Sequence, residues 1–504
     1  MCLKEFLKKK EFVFLTLLFF IAFFLRSFRL HKLLLFSYDQ GRDAVTIMRM
    51  IENKKFLSLI GPTTGLEGFF LGPFYHYLIL PFYWLGRGNP VLPAVFLAGL
   101  GALAVPAIYF LTKEIFSKKE GLWAATLLTF CFGAVEYGRW LCNPPPLILF
   151  GILFFLFYLK SFGGHKLWAF LAGTFLGICF QLEFANVVFW LPLIFIYLFL
   201  VKKDRQRVAK FLLLIFGFLL AMSPLFIFDL RHDFLLSNVL KNSFLDKTGR
   251  TTLDHVLRIR PKFFYQFYKD KFLPRTFLLD AVLVGIMLWS LVSLVWKVIR
   301  EKFKPKGFVL IILWFLLPLI GLSLYTGNYG QAWDYYLIGQ IAPALILITY
   351  FLFNLKNLKL KKIRLEPNKI VIIFLVWFCA TNYHQWVQLV NPENYDYSLY
   401  HQLQVIGYTF RETTGKDFSV FIFVPNGKTE SYDYLYSWQS RKLGRRPPST
   451  VSLANKYIFL IYEPDPFLKV RFEDWYKKYG QIGKIISKQN FGIITVEQRL
   501  NEKE

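Results

Sequence analysis

Apolar runs with few or no charges recur along the whole of this 504-residue sequence, and they decide what it can fold into. Residues 12–25, 211–220 and 369–380 are examples, and several runs approach the roughly 20 residues that a helix needs to cross about 30 Å of hydrocarbon. With 55% hydrophobic residues and 58 Phe, the chain holds more apolar side chains than a soluble core of that length can hide. The excess faces lipid, and the fold class expected is an all-α polytopic membrane protein.

The formal charge of +27 raises nucleic acid as a partner, and its distribution excludes it. The basic residues form no arm or domain. They sit between apolar runs, as Lys8-Lys9-Lys10, Lys118-Lys119, 202–205, 300–306 and 356–364, the pattern of short cytoplasmic loops under the positive-inside rule. The five cysteines are scattered without metal-ligand spacing, so neither a zinc site nor a disulfide framework is indicated. The first apolar stretch, 11–30, is long, contains Arg26 and lacks a small-residue cleavage site, so it reads as an uncleaved span.

Residues 69–86, with Pro73, His76 and Pro81 inside an apolar run, set the topology. If they span, every later basic loop falls outside; if they stay at the outer surface, all of them fall inside. The second choice satisfies the orientation rule. Eleven spans follow, near 12–30, 91–112, 121–140, 145–160, 167–183, 185–201, 209–229, 277–299, 307–325, 335–354 and 369–388. The division is a transmembrane domain, 1–388, with an outer loop at 31–90, and a small extracytoplasmic α/β domain, 389–504. For that domain we expect helices at 397–414, 430–441 and 466–479, strands at 418–424 and 457–462, and a hairpin at 484–489 and 492–497. It has no glycine-rich phosphate loop, which favours an accessory or acceptor-guiding role.

Just outside the first span lies Tyr38-Asp39-Gln40-Gly41-Arg42-Asp43-Ala44. On a helix, Asp39 and Asp43 share a face with Arg42 beside them, an arrangement suited to acid/base chemistry or to anion binding. The alternative is that Asp39 caps the helix and the rest is a solvated face. At the outer end of the seventh span, Arg231 fits a phosphate bidentately, or pairs structurally with Asp229 or Asp233. Lys269, Lys271 and Arg275 follow in the same outer loop. Glu183 at the end of a span is a functional candidate by its ionisability. His76 lies among aromatics, and Trp333, Tyr335 and Tyr336 form an interface belt on which a sugar can stack.

An acidic residue after the first span, then a Pro-Pro-Leu-Tyr-Tyr-like segment, is the opening pattern of the GT-C membrane glycosyltransferases. This chain resembles them, in particular the protein O-mannosyltransferases and the aminoarabinose transferases, through Tyr38 to Ala44, Leu71-Gly72-Pro73-Phe74-Tyr75-His76-Tyr77-Leu78, and Gly138-Arg139-Trp140-Leu141-Cys142-Asn143-Pro144. Gln40 stands where the family has Glu, Pro73 stands alone where it has a proline pair, and Asn143 stands near the place of a second loop Asp. The resemblance implies a polyprenyl-phosphate-linked sugar as donor, inversion at the anomeric centre, and a hydroxyl acceptor on protein, lipid or glycan at the outer face of the cell membrane. Catalysis is then assigned to Asp39, the general base, and to Asp43, which raises the pKa of Asp39 unless Arg42 or a metal offsets it. Substrate or phosphate contacts are assigned to Arg42, Arg139, Asn143, Arg231, His76 and Glu183. No cofactor is certain, and a divalent metal stays open. The other readings are a lipid-linked glycan polymerase or ligase, a secondary transporter, and a membrane scaffold presenting the C-terminal domain.

Overall fold

The computed structural model describes residues 10–201, 206–245, 249–273, 279–304, 306–355, 367–394, 397–465 and 468–501. Arg275 and the basic runs at 202–205 and 356–364 lie outside the described residues. Seven helices among these residues are long and apolar enough to cross a membrane: Lys10–Leu33, Val91–Ile115, Arg207–Arg231, Asp280–Arg300, Lys306–Leu324, Asp334–Asn354 and Lys369–Leu389. Three further apolar helices, Leu147–Ser161, Leu167–Leu182 and Phe184–Leu200, are shorter.

The expected span at 121–140 is not one helix. It breaks at Cys131 into Lys118–Phe130 and Phe132–Tyr137. A break in an apolar environment strands helix-terminal carbonyls, which need donors. Arg26 supplies one: fully buried, it donates through Nη2 to Leu128 O at 3.2 Å and through Nη1 to Ala22 O at 3.0 Å. Gly101 and Gly138 make room for it, because a Cβ at Gly138 would lie 2.8 Å from Arg26 Cδ. The expected span at 185–201 is also irregular, a short turn (Phe184–Val187), a 3₁₀ segment (Val188–Trp190) and then Pro192–Leu200.

Side-chain pairs sort the chain into two ends. At one end, Lys118 Nζ meets Glu11 Oε1 at 2.9 Å and Tyr109 donates to the same carboxylate. Phe116 packs on Phe308 and Tyr350, and Lys306 lies over the Phe162 ring. At the other end, Trp386 donates to Leu25 O, Arg139 to Phe28 O and Asn143 to Leu182 O. The first span and Val91–Ile115 run antiparallel, with Gly99 against Phe23 and Tyr109 against Glu11. The chain therefore leaves the first span and re-enters at Val91 on the same end. Within that excursion the 69–86 stretch forms only Phe74–Leu85, 12 residues, about 18 Å at helical rise, too short to cross.

The C-terminal domain holds one four-stranded sheet: β1 (Phe418–Phe423), β2 (Tyr457–Tyr462), β3 (Lys484–Phe491) and β4 (Ile494–Leu500), in the order β1-β2-β4-β3. β1 and β2 are parallel, joined through Glu430–Leu443, and β3-β4 is an antiparallel hairpin. Strand alternation divides the core. Phe459 and Ile461 join the cluster that holds Leu435 of Glu430–Leu443, whereas Ile458 and Leu460 pack with Trp475, Tyr476 and Tyr479 of Lys469–Tyr479. The same cluster runs on through Tyr432 and Tyr434 to Phe36, Tyr75 and Tyr83. The soluble domain and the 30–90 excursion thus share one core at one end of the bundle.

Candidate active site

The helix Tyr38–Glu52 carries the site, and its start is set by Ser37 and Gln40. Gln40 Oε1 accepts from the Ser37 backbone N–H at 2.9 Å and from the Ser37 hydroxyl at 2.8 Å. This local closure stabilises the first turn. It corrects the capping alternative for Asp39, whose carboxylate is left for other work. The Gln40 side chain closes the helix start and contributes no carboxylate to the site.

Asp39 and Asp43 lie one turn apart with Arg42 between them. Arg42 Nη1 reaches Asp39 Oδ1 at 2.8 Å, and Nε and Nη2 both reach Asp43 Oδ1 at 2.9 Å. Nη1 also donates to Thr63 Oγ1 at 2.8 Å. His76, carried by Phe74–Leu85, brings Nε2 to 3.4 Å from Asp43 Oδ1. Exposure separates the two acids, since the Asp43 side chain is 4% exposed and that of Asp39 47%.

Their ionisation separates as well. Burial pushes Asp43 up, but hydrogen bonding and charge from His76 and Arg42 outweigh it and hold its carboxyl below the ordinary Asp range. Asp39 lies above that range. Partial desolvation is the main cause, the Asp43 charge adds to it, and Arg42 and Lys428 oppose it. Asp43 is thus a fixed anion orienting Arg42, and Asp39 is a more basic carboxylate open to solvent. Among the described residues no group of three or more His, Cys, Asp or Glu side chains has the arrangement of a metal site. Between Asp39 and Asp43 the cation is Arg42.

The Arg139–Asn143 corner lies near these acids, since Cys142 feels the charges of Asp39, Asp43 and Arg42. Arg139, nearly buried, donates through Nη1 to Arg26 O at 3.1 Å and Phe28 O at 2.8 Å, closing the end of the first span. Asn143 donates to Leu182 O at 2.7 Å and closes Leu167–Leu182 in the same way. Glu183 is buried and accepts from the Ala185 N–H at 3.1 Å, capping Phe184–Val187. Arg231 is exposed at the end of Arg207–Arg231, and among the described residues it forms no ion pair. The expected partner Asp229 instead accepts from Leu236 N–H at 2.7 Å and from Ser237, starting the next helix. Lys271 is tied to Glu136 Oε2 at 2.6 Å and Asp334 Oδ2 at 2.9 Å.

Some contributors had no sequence signal. Gln181 accepts from Phe74 N–H at 3.1 Å and donates to Ala221 O at 2.7 Å, pinning the His76 helix to the bundle. Gly41 faces the C-terminal domain so closely that a Cβ there would lie 2.4 Å from Ser431 N. Around this contact, Trp438 donates to Arg87 O, Tyr434 to Gly88 O, and Arg441 pairs with Glu52.

The family model described as dolichyl-phosphate-mannose-protein mannosyltransferase matches residues 72–228. No curated protein sequence matches the chain at a comparable level. Among solved structures, ArnT from Cupriavidus metallidurans in the apo state superposes with a TM-score of 0.61 at 12% identity, covering 96% of this chain and 97% of ArnT. The same protein bound to undecaprenyl phosphate gives 0.60 at 11% identity, covering 97% and 98%. The Archaeoglobus fulgidus oligosaccharyltransferase in complex with zinc and sulfate gives 0.51 at 14% identity, covering 89% of this chain and 67% of that one. By these likenesses and its own architecture, the chain has the GT-C fold of the polytopic membrane glycosyltransferases.

Proposed function

We propose that the protein transfers a sugar from a polyprenyl-phosphate donor to a hydroxyl acceptor, with inversion, at the outer face of the membrane. The observation that carries this reading is the division of labour on one helix: buried Asp43 is ion-paired with the partly exposed Arg42, and Asp39, half exposed and more basic than an ordinary Asp, stands at the pair's open side. An acceptor oxygen attacks the anomeric carbon as the bond from that carbon to the phosphate oxygen breaks. The phosphate leaves with the bonding pair, and the acceptor proton passes to Asp39. A positioned base and aligned reactants are what such a displacement requires. Arg231, whose guanidinium forms no ion pair among the described residues, is the candidate for the departing phosphate, which it fits as a planar fork. The undecaprenyl phosphate in the ArnT complex supports a lipid phosphate as the donor's carrier.

The test is incubation of the purified protein with radiolabelled polyprenyl-phosphate sugars and panels of protein, lipid and glycan acceptors. Label should move to an acceptor hydroxyl, with the anomeric configuration of the product opposite to that of the donor. Retained configuration would overturn the single displacement, and no transfer from any such donor would overturn the donor class.

A further inference from the structure

The C-terminal domain does more than sit on the site helix, because it brings a cation to the site. Between β1 and Glu430–Leu443 the chain turns through Pro425-Asn426-Gly427-Lys428, and the turn is held from three sides. Gly427, at φ +68°, donates to Val424 O at 2.8 Å. Asn426 Oδ1 accepts from the Lys428 N–H at 3.1 Å, and Arg471 Nη1 donates to Pro425 O at 3.2 Å. The turn carries Lys428 onto the Tyr38 ring, with Nζ 4.1 Å from its centroid, one residue from Asp39. Among the described residues the ammonium forms no ion pair or hydrogen bond, and the residue is exposed. Its charge acts on Asp39, opposing the rise in that group's pKa.

A lysine that served only to dock the domain would be redundant beside the Gly41–Ser431 contact, the Trp438 and Tyr434 hydrogen bonds and the Arg441–Glu52 pair. An unpaired ammonium over an aromatic ring beside the candidate base suits an anion brought by a substrate. The donor's phosphate arrives on a lipid, from the bundle. Lys428 is carried by the C-terminal domain, exposed beside the half-exposed Asp39, and not by a membrane-spanning helix along which a lipid would arrive. We propose that Lys428 is a specificity-determining residue that binds an anionic group, such as a phosphate ester, on the acceptor. This inference rests on the transferase reading, and its test is chosen so that the two can fail separately.

The full-length protein in detergent micelles is reductively ¹³C-methylated, which keeps lysine charge, and the Lys428 resonance is assigned by its loss in Lys428→Arg. Glucose 6-phosphate should shift that resonance saturably, glucose should leave it in place, and Lys416 of the same domain should not follow. No saturable shift, or a parallel shift of Lys416, would overturn the site. A shift with a short-chain polyprenyl phosphate in place of glucose 6-phosphate would assign Lys428 to the donor and overturn the acceptor reading. None of these readouts depends on turnover, so absence of sugar transfer would sink the proposed reaction and leave the anion site standing. Where transfer occurs, Lys428→Met should raise KM roughly three- to tenfold for a phosphorylated acceptor and leave KM for its unphosphorylated parent within about twofold. Equal effects on both acceptors would mark a docking role and overturn the proposal.

Discussion

Asp39 and Asp43 share a helix face, yet their surroundings give them opposite characters. Asp43 is closed in by Arg42 and His76 and stays ionised; Asp39 meets water and is the more basic acid. If Asp39 takes the acceptor's proton, Asp39→Asn preserves size and removes basicity. Turnover should then fall by about 10²–10⁴, the usual contribution of a positioned base, while donor binding persists. The base must be ionised to act, so wild-type turnover should drop as pH falls through the pKa of Asp39. The midpoint of that acid limb should lie above the ordinary Asp value of 3.8, and the limb should vanish in the residual activity of Asp39→Asn. Normal turnover in a correctly inserted variant would remove Asp39 from the chemistry.

At the scale of elements, the helix Tyr38–Glu52 and the helix Glu430–Leu443 meet at Gly41. Intrinsic propensity favours alanine over glycine in a helix by about 1 kcal/mol. Here the sign should reverse, because the added Cβ would lie 2.4 Å from Ser431 N and 2.5 Å from Ser431 Cα, and backbone cannot rotate out of the way. Overpacking of this kind typically costs about 1–3 kcal/mol. Gly41→Ala should therefore lower the thermal unfolding temperature and expose the C-terminal domain to limited proteolysis. A variant as stable as the wild type would show that the two helices are not held against each other.

Over the whole molecule, the paired ends of the helices place residues 28–90 and the C-terminal domain together, with Lys118 at the opposite end. The basic loops argue that the Lys118 end is cytoplasmic. Single cysteines near positions 55 and 430 should react with a membrane-impermeant maleimide added from outside, and a cysteine near 118 should not. Labelling near 118 would invert the topology and put the candidate site on the wrong side for an outer-face reaction.

Membrane residence, the approximate places of the apolar helices and the alternation of strands and helices in the C-terminal domain were legible without coordinates. Each is a property of contiguous residues: hydrophobic run length, basic flanks, and period-two or helical patterning. The Asp39–Arg42–Asp43 grouping was legible for the same reason, because helical spacing brings i, i+3 and i+4 together. The break at Cys131 was not, since it depends on Arg26 reaching carbonyls about a hundred residues away in sequence. Nor could spacing tell which charges are already committed. Arg139 and Asn143 close helix ends and Glu183 caps a turn, while His76, Thr63 and Lys428 come to the site helix from distant segments. A polar side chain at the end of a span looks the same in sequence whether it satisfies a stranded carbonyl or faces a substrate. Only packing in three dimensions decides between them, because a buried polar group must first find a partner before it is free to do anything else.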